Sequence, residues 1–133
     1  MGYLSLSRRG RLLEAGEEPV GALCRARHAR LVIVASDASD HTLRRAGSFV
    51  AGTKQLLTKI PFTKEELGGA IGLGSCAVAA FADERMALAF VRALEEVDEA
   101  LLRELENRAE RAGKRQREEK ARRRNLQRGK RKQ

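Results

Sequence analysis

The sequence predicts an α/β fold in which a partly parallel sheet is covered by helices on both sides. Three observations carry that expectation. Strand and helix signals alternate through the first 94 residues, the pattern of strands linked by crossover helices. Two apolar runs, Leu31-Val32-Ile33-Val34-Ala35 and Cys76-Ala77-Val78-Ala79-Ala80-Phe81, lack the polar alternation of a half-solvated strand. Each therefore reads as a strand buried on both faces. Helix-capping residues follow each run, Ser36-Asp37-Ala38-Ser39-Asp40 after the first and Asp83 after the second.

The remaining elements fall into place around these. Arg11 to Glu14 is a short first strand candidate. Gly16-Glu17-Glu18-Pro19-Val20 reads as a turn entering a helix, with Pro19 at the first helical position, where its missing N–H is no loss. Glu17 and Glu18 complement the positive helix end. Val20, Leu23 and Cys24 form its apolar stripe, which fades into charge by Arg27. A second helix carries Leu43, Ala46 and Phe49 and ends at Gly52. Gln55 to Ile60 is a weaker strand, and Lys54 and Lys59 at its ends suggest an edge.

Thr63-Lys64-Glu65-Glu66 is a capping box, opening a helix that stops at Gly72. From Asp83 a helix carries Ala87, Phe90, Val91 and Leu94 on one face. A thin apolar line continues through Val97, Leu101, Leu105, Ala109 and Ala112, with no Gly or Pro before Gly113. One docked helix running on into solvent, then a disordered end, is the expectation. The chain thus divides into a domain over residues 1–94 and a charged helical extension over 95–133.

Charge follows the same division. Of the formal +9, residues 111–133 hold a net +10, with 12 Lys/Arg against Glu118 and Glu119. The other 110 residues carry a net −1, so the body is not expected to bind through bulk positive charge. No stretch approaches the roughly 20 apolar residues of a membrane span. Arg8, Arg9 and Arg11 interrupt any leader-like pattern, so a cytoplasmic location is expected. Cys24 and Cys76 match no disulfide framework or zinc site and read as small buried hydrophobes.

Sets of residues that carry chemistry are missing. There is no Gly-x-Ser-x-Gly, no His-Glu-x-x-His and no phosphate loop ending in Gly-Lys-Ser/Thr. Gly68-Gly69-Ala70-Ile71-Gly72-Leu73-Gly74 ends a helix instead of opening one, so it reads as a helix stop and turn. His28 and His41 have no obvious partner, and Glu65-Glu66 belongs to the capping box. No enzyme, cofactor, metal or small-molecule substrate is expected. Asp37, directly after a buried strand, sits where α/β sheets place function, with helix capping as the competing reading.

Several of these segments together resemble the L-seven-Ae ribosomal-protein superfamily, whose members bind kink-turn RNA. They are Gly16-Glu17-Glu18-Pro19-Val20, Ala29 to Ser39 with Thr42, Thr63-Lys64-Glu65-Glu66-Leu67-Gly68 and Ala70-Ile71-Gly72. The pattern is most similar to the bacterial YlxQ-like branch and covers roughly residues 4–94. The resemblance implies a three-layer α/β/α sandwich around a four-stranded mixed sheet, RNA as partner, and a place near the ribosome.

The resemblance also implies two RNA-contacting loops. The first is a Gly-x-Asn-Glu-x-x-Lys motif, whose amide and carboxylate read guanine edges. Gly16 matches its Gly, whereas Glu18, Pro19 and Ala22 stand where Asn, Glu and Lys are expected. The second loop maps to Gly72-Leu73-Gly74-Ser75-Cys76, presenting backbone N–H groups and an apolar side chain to an extruded base. Arg25, Arg27 and Arg30, with Arg8, Arg9 and Arg11, are candidate phosphate contacts near the first loop. Arg122-Arg123-Arg124 and Lys130-Arg131-Lys132 are suited to salt-sensitive, sequence-blind contacts. The alternative is a protein-interaction adaptor in which Leu101 and Leu105 form the seam of a partner-binding helix.

Overall fold

The structure, a computed structural model, describes the backbone of residues 2–131 and the side chains of residues 2–127. Its elements are α1 (Gly2–Arg9), β1 (Leu13–Ala15), α2 (Glu17–Arg25), β2 (Leu31–Val34), α3 (Asp40–Val50), β3 (Leu57–Lys59), α4 (Lys64–Ala70), β4 (Val78–Phe81), α5 (Glu84–Arg92) and α6 (Glu99–Arg131). The strands form one sheet in the order β1-β4-β2-β3. β2 runs parallel to β3 and antiparallel to β4, and β1 is antiparallel to β4. The expected mixed four-stranded sheet is present, with β3 on an edge.

The two apolar runs occupy the centre because every one of their strand residues is buried. Side chains alternate across the sheet, and the alternation divides the core in two. Leu31, Ile33, Ala79 and Phe81 face α1, α4, α5 and the start of α6. Val32, Val34, Val78 and Ala80 face α2 and α3, meeting Val20, Cys24 and Ala46. The result is the three-layer α/β/α sandwich. Phe81 and Phe90, 5.3 Å apart at 40°, anchor the first of these layers.

Capping chemistry sets the helix starts as expected. Ser39 accepts from the Thr42 N–H, Thr63 and Glu66 form a reciprocal capping box, and Asp83 accepts from the Met86 N–H. Three details differ. β1 starts two residues later than expected and ends one later. Pro19 is the third residue of α2, still within the first turn, where an N–H has no helical partner. α1 was not foreseen; its buried Ser7 donates to the Tyr3 carbonyl at 2.6 Å, which removes the cost of placing a hydroxyl beside Leu4.

The larger correction concerns the C-terminal helix. It does not run on from α5, because the chain turns over residues 93–98 and restarts. Asp98 opens α6 by accepting from the Ala100 and Leu101 N–H groups at 3.0 and 3.2 Å. α6 then returns along α5: Arg92 faces Glu106, while Arg85, two turns earlier, shares a groove with Gly113 and Arg117. The turn has a physical cause. A continuous helix would carry Leu101, Leu105 and Ala109 away from the sheet, whereas the hairpin brings all three onto the core.

Leu105 is completely buried, so the folded body extends past residue 94 into α6. The seam proposed for an adaptor is thereby used within the chain. From Lys114 to Gln127 the helix is exposed, and its backbone remains helical to Arg131 where the sequence suggested loss of order. At 33 residues α6 is about 50 Å long. No helix among the described residues is long and apolar enough to cross a membrane.

Replacing Leu105 by Ala is expected to destabilise the protein by about 2–5 kcal/mol. Leu126→Ala, on the exposed part of the same helix, should stay within about 0.5 kcal/mol of wild type. Denaturant titration of both variants checks this; equal effects would show that α6 is not docked.

Candidate nucleic-acid interface

Strand register defines two ends of the sheet. Val34 pairs with Val78 and Lys59 at one end, and Leu31 pairs with Phe81 at the other. The first end collects the start of α2, the β2–α3 loop, the start of α4 and the α4–β4 loop. Backbone bonds bind them together. Gly16 N–H donates to the Val78 carbonyl at 2.9 Å, Ala35 N–H to Ala77 at 2.9 Å, and Cys76 N–H to Lys64 at 2.9 Å. Both loops implied by the resemblance therefore lie side by side.

Gly16 takes φ 97°, ψ 158°, a conformation that disfavours any side chain and lets the chain turn from β1 directly into α2. Glu17 is tied inward: it accepts from the Thr42 hydroxyl at 3.4 Å and pairs with Arg45 at 3.3 Å. Arg45 in turn lies over the Phe49 ring, 5.6 Å from its centroid. Glu17 thus links α2 to α3. Glu18 differs, with 88% of its side chain exposed and Arg45 no nearer than 4.0 Å. It is an acceptor turned to solvent.

In the second loop, Gly72, Leu73, Gly74 and Ser75 are all exposed, Leu73 by 41%. Leu73 N–H is occupied by the Gly68 carbonyl at 2.7 Å; Gly74 and Ser75 N–H meet no protein acceptor among the described residues. Gly68 is required beneath this loop, since a Cβ there would lie 2.7 Å from the Ser75 backbone. The glycine run is thus a helix stop and tight turn, with Gly72 at φ 81°. The loop offers free amides and one apolar side chain, a combination suited to holding a nucleobase.

Other candidate residues fall elsewhere. Asp37 accepts from the Lys64 N–H at 2.7 Å, so it caps α4 from the neighbouring loop. The helix it caps is therefore not the one that follows it, α3, whose N-cap is Ser39. Cys76 is a correction: its thiol is buried and donates to the Val78 carbonyl at 3.1 Å, so it packs the base of the loop. Arg25 is a second correction. It closes α2 nine residues from the loop, and a helix of that length carries it about 12 Å away. Arg27 and Arg30 lie with it, away from the first loop. The reason is helix direction, which sequence proximity does not convey.

Arg122, Arg123 and Arg124 lie on the exposed part of α6, and Arg123 pairs with Glu119 at 2.7 Å. The Lys130, Arg131 and Lys132 side chains lie outside the described residues. His28 and His41 are exposed, and no group of metal-binding side chains occurs among the described residues.

The loop-bearing end holds a slight excess of carboxylates. Glu17, Glu18, Asp37, Glu65 and Glu66 gather there, against Arg8, Arg45, Lys59 and Lys64. Such a surface suits base-edge donors better than phosphates.

Comparison with solved structures shows how widely this fold is used. A protein of unknown function from Bacillus halodurans C superposes with a TM-score of 0.64 at 26% identity, covering 71% of this chain and 95% of that one. The Giardia lamblia 15.5kD RNA binding protein superposes with a TM-score of 0.55 at 15% identity, covering 82% of each chain. No family model matches the chain and no curated protein matches it. The chain therefore shares its α/β architecture with an RNA-binding protein.

Burial pushes both thiols, Cys24 and Cys76, above their ordinary range; at Cys76 this outweighs the opposing pull of the Gly16 backbone and Arg8. A raised thiol pKa contributes stability below the unfolded-state value, about 8.5, and that contribution is lost as pH rises through the folded value. Both thiols should resist a disulfide reagent at neutral pH and react in denaturant, and stability should decline from mildly alkaline pH upward. Rapid native labelling of Cys76 would contradict its placement.

Proposed function

We propose that this chain is an RNA-binding protein of the L-seven-Ae type, in its YlxQ-like branch, working in the cytoplasm beside the ribosome. Its head docks on structured RNA through the Gly16–Glu18 and Gly72–Ser75 loops. α6 adds nonspecific contacts through Arg122, Arg123 and Arg124. The Gly16 to Val78 bond, which clamps the two loops into one surface, is the observation that carries this reading. The fold shared with the Giardia RNA-binding protein supports it.

The chemistry differs from the side-chain set associated with kink-turns. Glu18 offers two carboxylate acceptors to guanine N–H groups, and Pro19 and Ala22 add neither donor nor charge. Leu73 supplies an apolar face for an unstacked base. The proposed work is binding without bond-making. The adaptor reading loses support, because Leu105 is buried within the protein's own core.

Gel-shift titration against kink-turn, ribosomal and random RNA tests the proposal. Structured RNA should bind more tightly than random RNA, and Glu18→Ala with Leu73→Ala should remove most of that preference. No binding to any of the three at low salt would end it.

A further inference from the structure

The end of the sheet opposite the loops carries the inverse charge. There Arg27 and Arg30 flank the approach to β2, and Lys54 precedes β3. α6 crosses beside them and adds Arg108, Arg111 and Arg115. Together these residues line an open groove of about 580 Å³ and a smaller continuation of about 280 Å³. Six cations face two carboxylates, Glu84 and Glu104.

Pairing leaves most of this charge free. Glu104 is held by Arg108 at 2.7 Å and Arg111 at 3.6 Å, and those guanidiniums keep its carboxyl below the ordinary carboxylate range. Arg27, Arg30, Lys54 and Arg115 have no ion-pair partner among the described residues. Like charges so placed repel one another, which favours an anionic occupant. Gln55 braces the floor: its side chain accepts from Ala29 N–H and donates to the Cys24 carbonyl, both at 3.0 Å. The flanking Arg27 adopts φ 61°, uncommon for a side-chain-bearing residue.

The geometry points to a second RNA-contacting surface, a phosphate-backbone groove between α6 and the β2–β3 end of the sheet. It goes beyond the loop-face reading and rests on RNA being the ligand. An extended row of fixed cations along a helix matches the repeating charge of a polynucleotide strand better than one small anion. Two turns beyond Arg115, past Glu118 and Glu119, the same face of α6 carries Arg122. The two ends then divide the work: the loops read base edges, and this groove grips the backbone.

The test uses the full-length protein, a kink-turn hairpin RNA and a plain A-form RNA duplex, each titrated at several salt concentrations. The variant Arg30→Gln/Lys54→Gln/Arg115→Gln removes three groove cations. Arg44→Gln/Arg92→Gln/Arg103→Gln removes equal charge from exposed sites outside it. The groove variant should lose affinity for both RNAs, with a salt slope smaller by about 1 per cation removed. The control variant should lose less than half as much slope as the groove variant does. Should the triple variant unfold on thermal melting, Lys54→Gln alone serves, because Lys54 is exposed and makes no described hydrogen bond. Equal losses in groove and control variants, or none in either, would overturn the groove alone. Wild-type protein that binds neither RNA would overturn both readings.

Discussion

The pairing of β2 with β4 is the constraint on which the rest of the molecule depends. Both strands are buried on both faces, so neither slips by one residue without turning Leu31, Ile33, Ala79 and Phe81 into the opposite core layer. That fixed register decides what lies at each end. Val34 and Val78 bring the Gly16 turn, the Asp37 loop and the Gly72–Ser75 loop together. Leu31 and Phe81, about 10 Å away along the strand, open onto Arg30 and its neighbours. The loops and the cationic groove thus lie at opposite ends of one short sheet.

α6 contributes more than a charged appendage. Its first turns complete the core through Leu105, and that docking is what holds Arg108, Arg111 and Arg115 over the sheet end. Apolar burial on one face of the helix thus positions cations on its flank. Once folded, five carboxylates lie among the groups around the loops, while Arg27, Arg30 and Lys54 are joined by Arg108, Arg111 and Arg115 of α6 at the opposite end. Averaged charge was a poor guide to the surface because the fold sorts the signs.

Much of the fold was legible in the sequence because it is set locally. The capping box at Thr63, the cap residues Ser39 and Asp83, and the two buried apolar runs each carry their signal within a few residues. The break between α5 and α6 was not legible in that way: Leu94, Val97, Leu101 and Leu105 keep helical spacing across it, so periodicity shows no interruption. Asp98 was the available clue, an N-cap residue ahead of an apolar-periodic stretch. α1 was hidden by its short length and by Arg8 and Arg9 in its last turn.

The candidate site divides similarly. Gly16, Glu18 and Leu73 were found through spacing and resemblance, and the fold places their two loops at the same end of the sheet. Cys76 directly follows the second loop but faces inward, and Arg25 belongs to the helix that the first loop opens but stands at its far end. The cationic groove joins residues from four separate segments, and no local pattern announces it.

Amide chemical shifts of the isotope-labelled protein, followed during titration with a structured RNA, separate the possibilities most directly. If the clamped loops are the recognition surface, shifts concentrate at Gly16–Glu18 and Gly72–Ser75 and saturate together. Shifts confined to α6 beyond Gly113, with both loops unmoved, would mean that the folded head does not engage RNA.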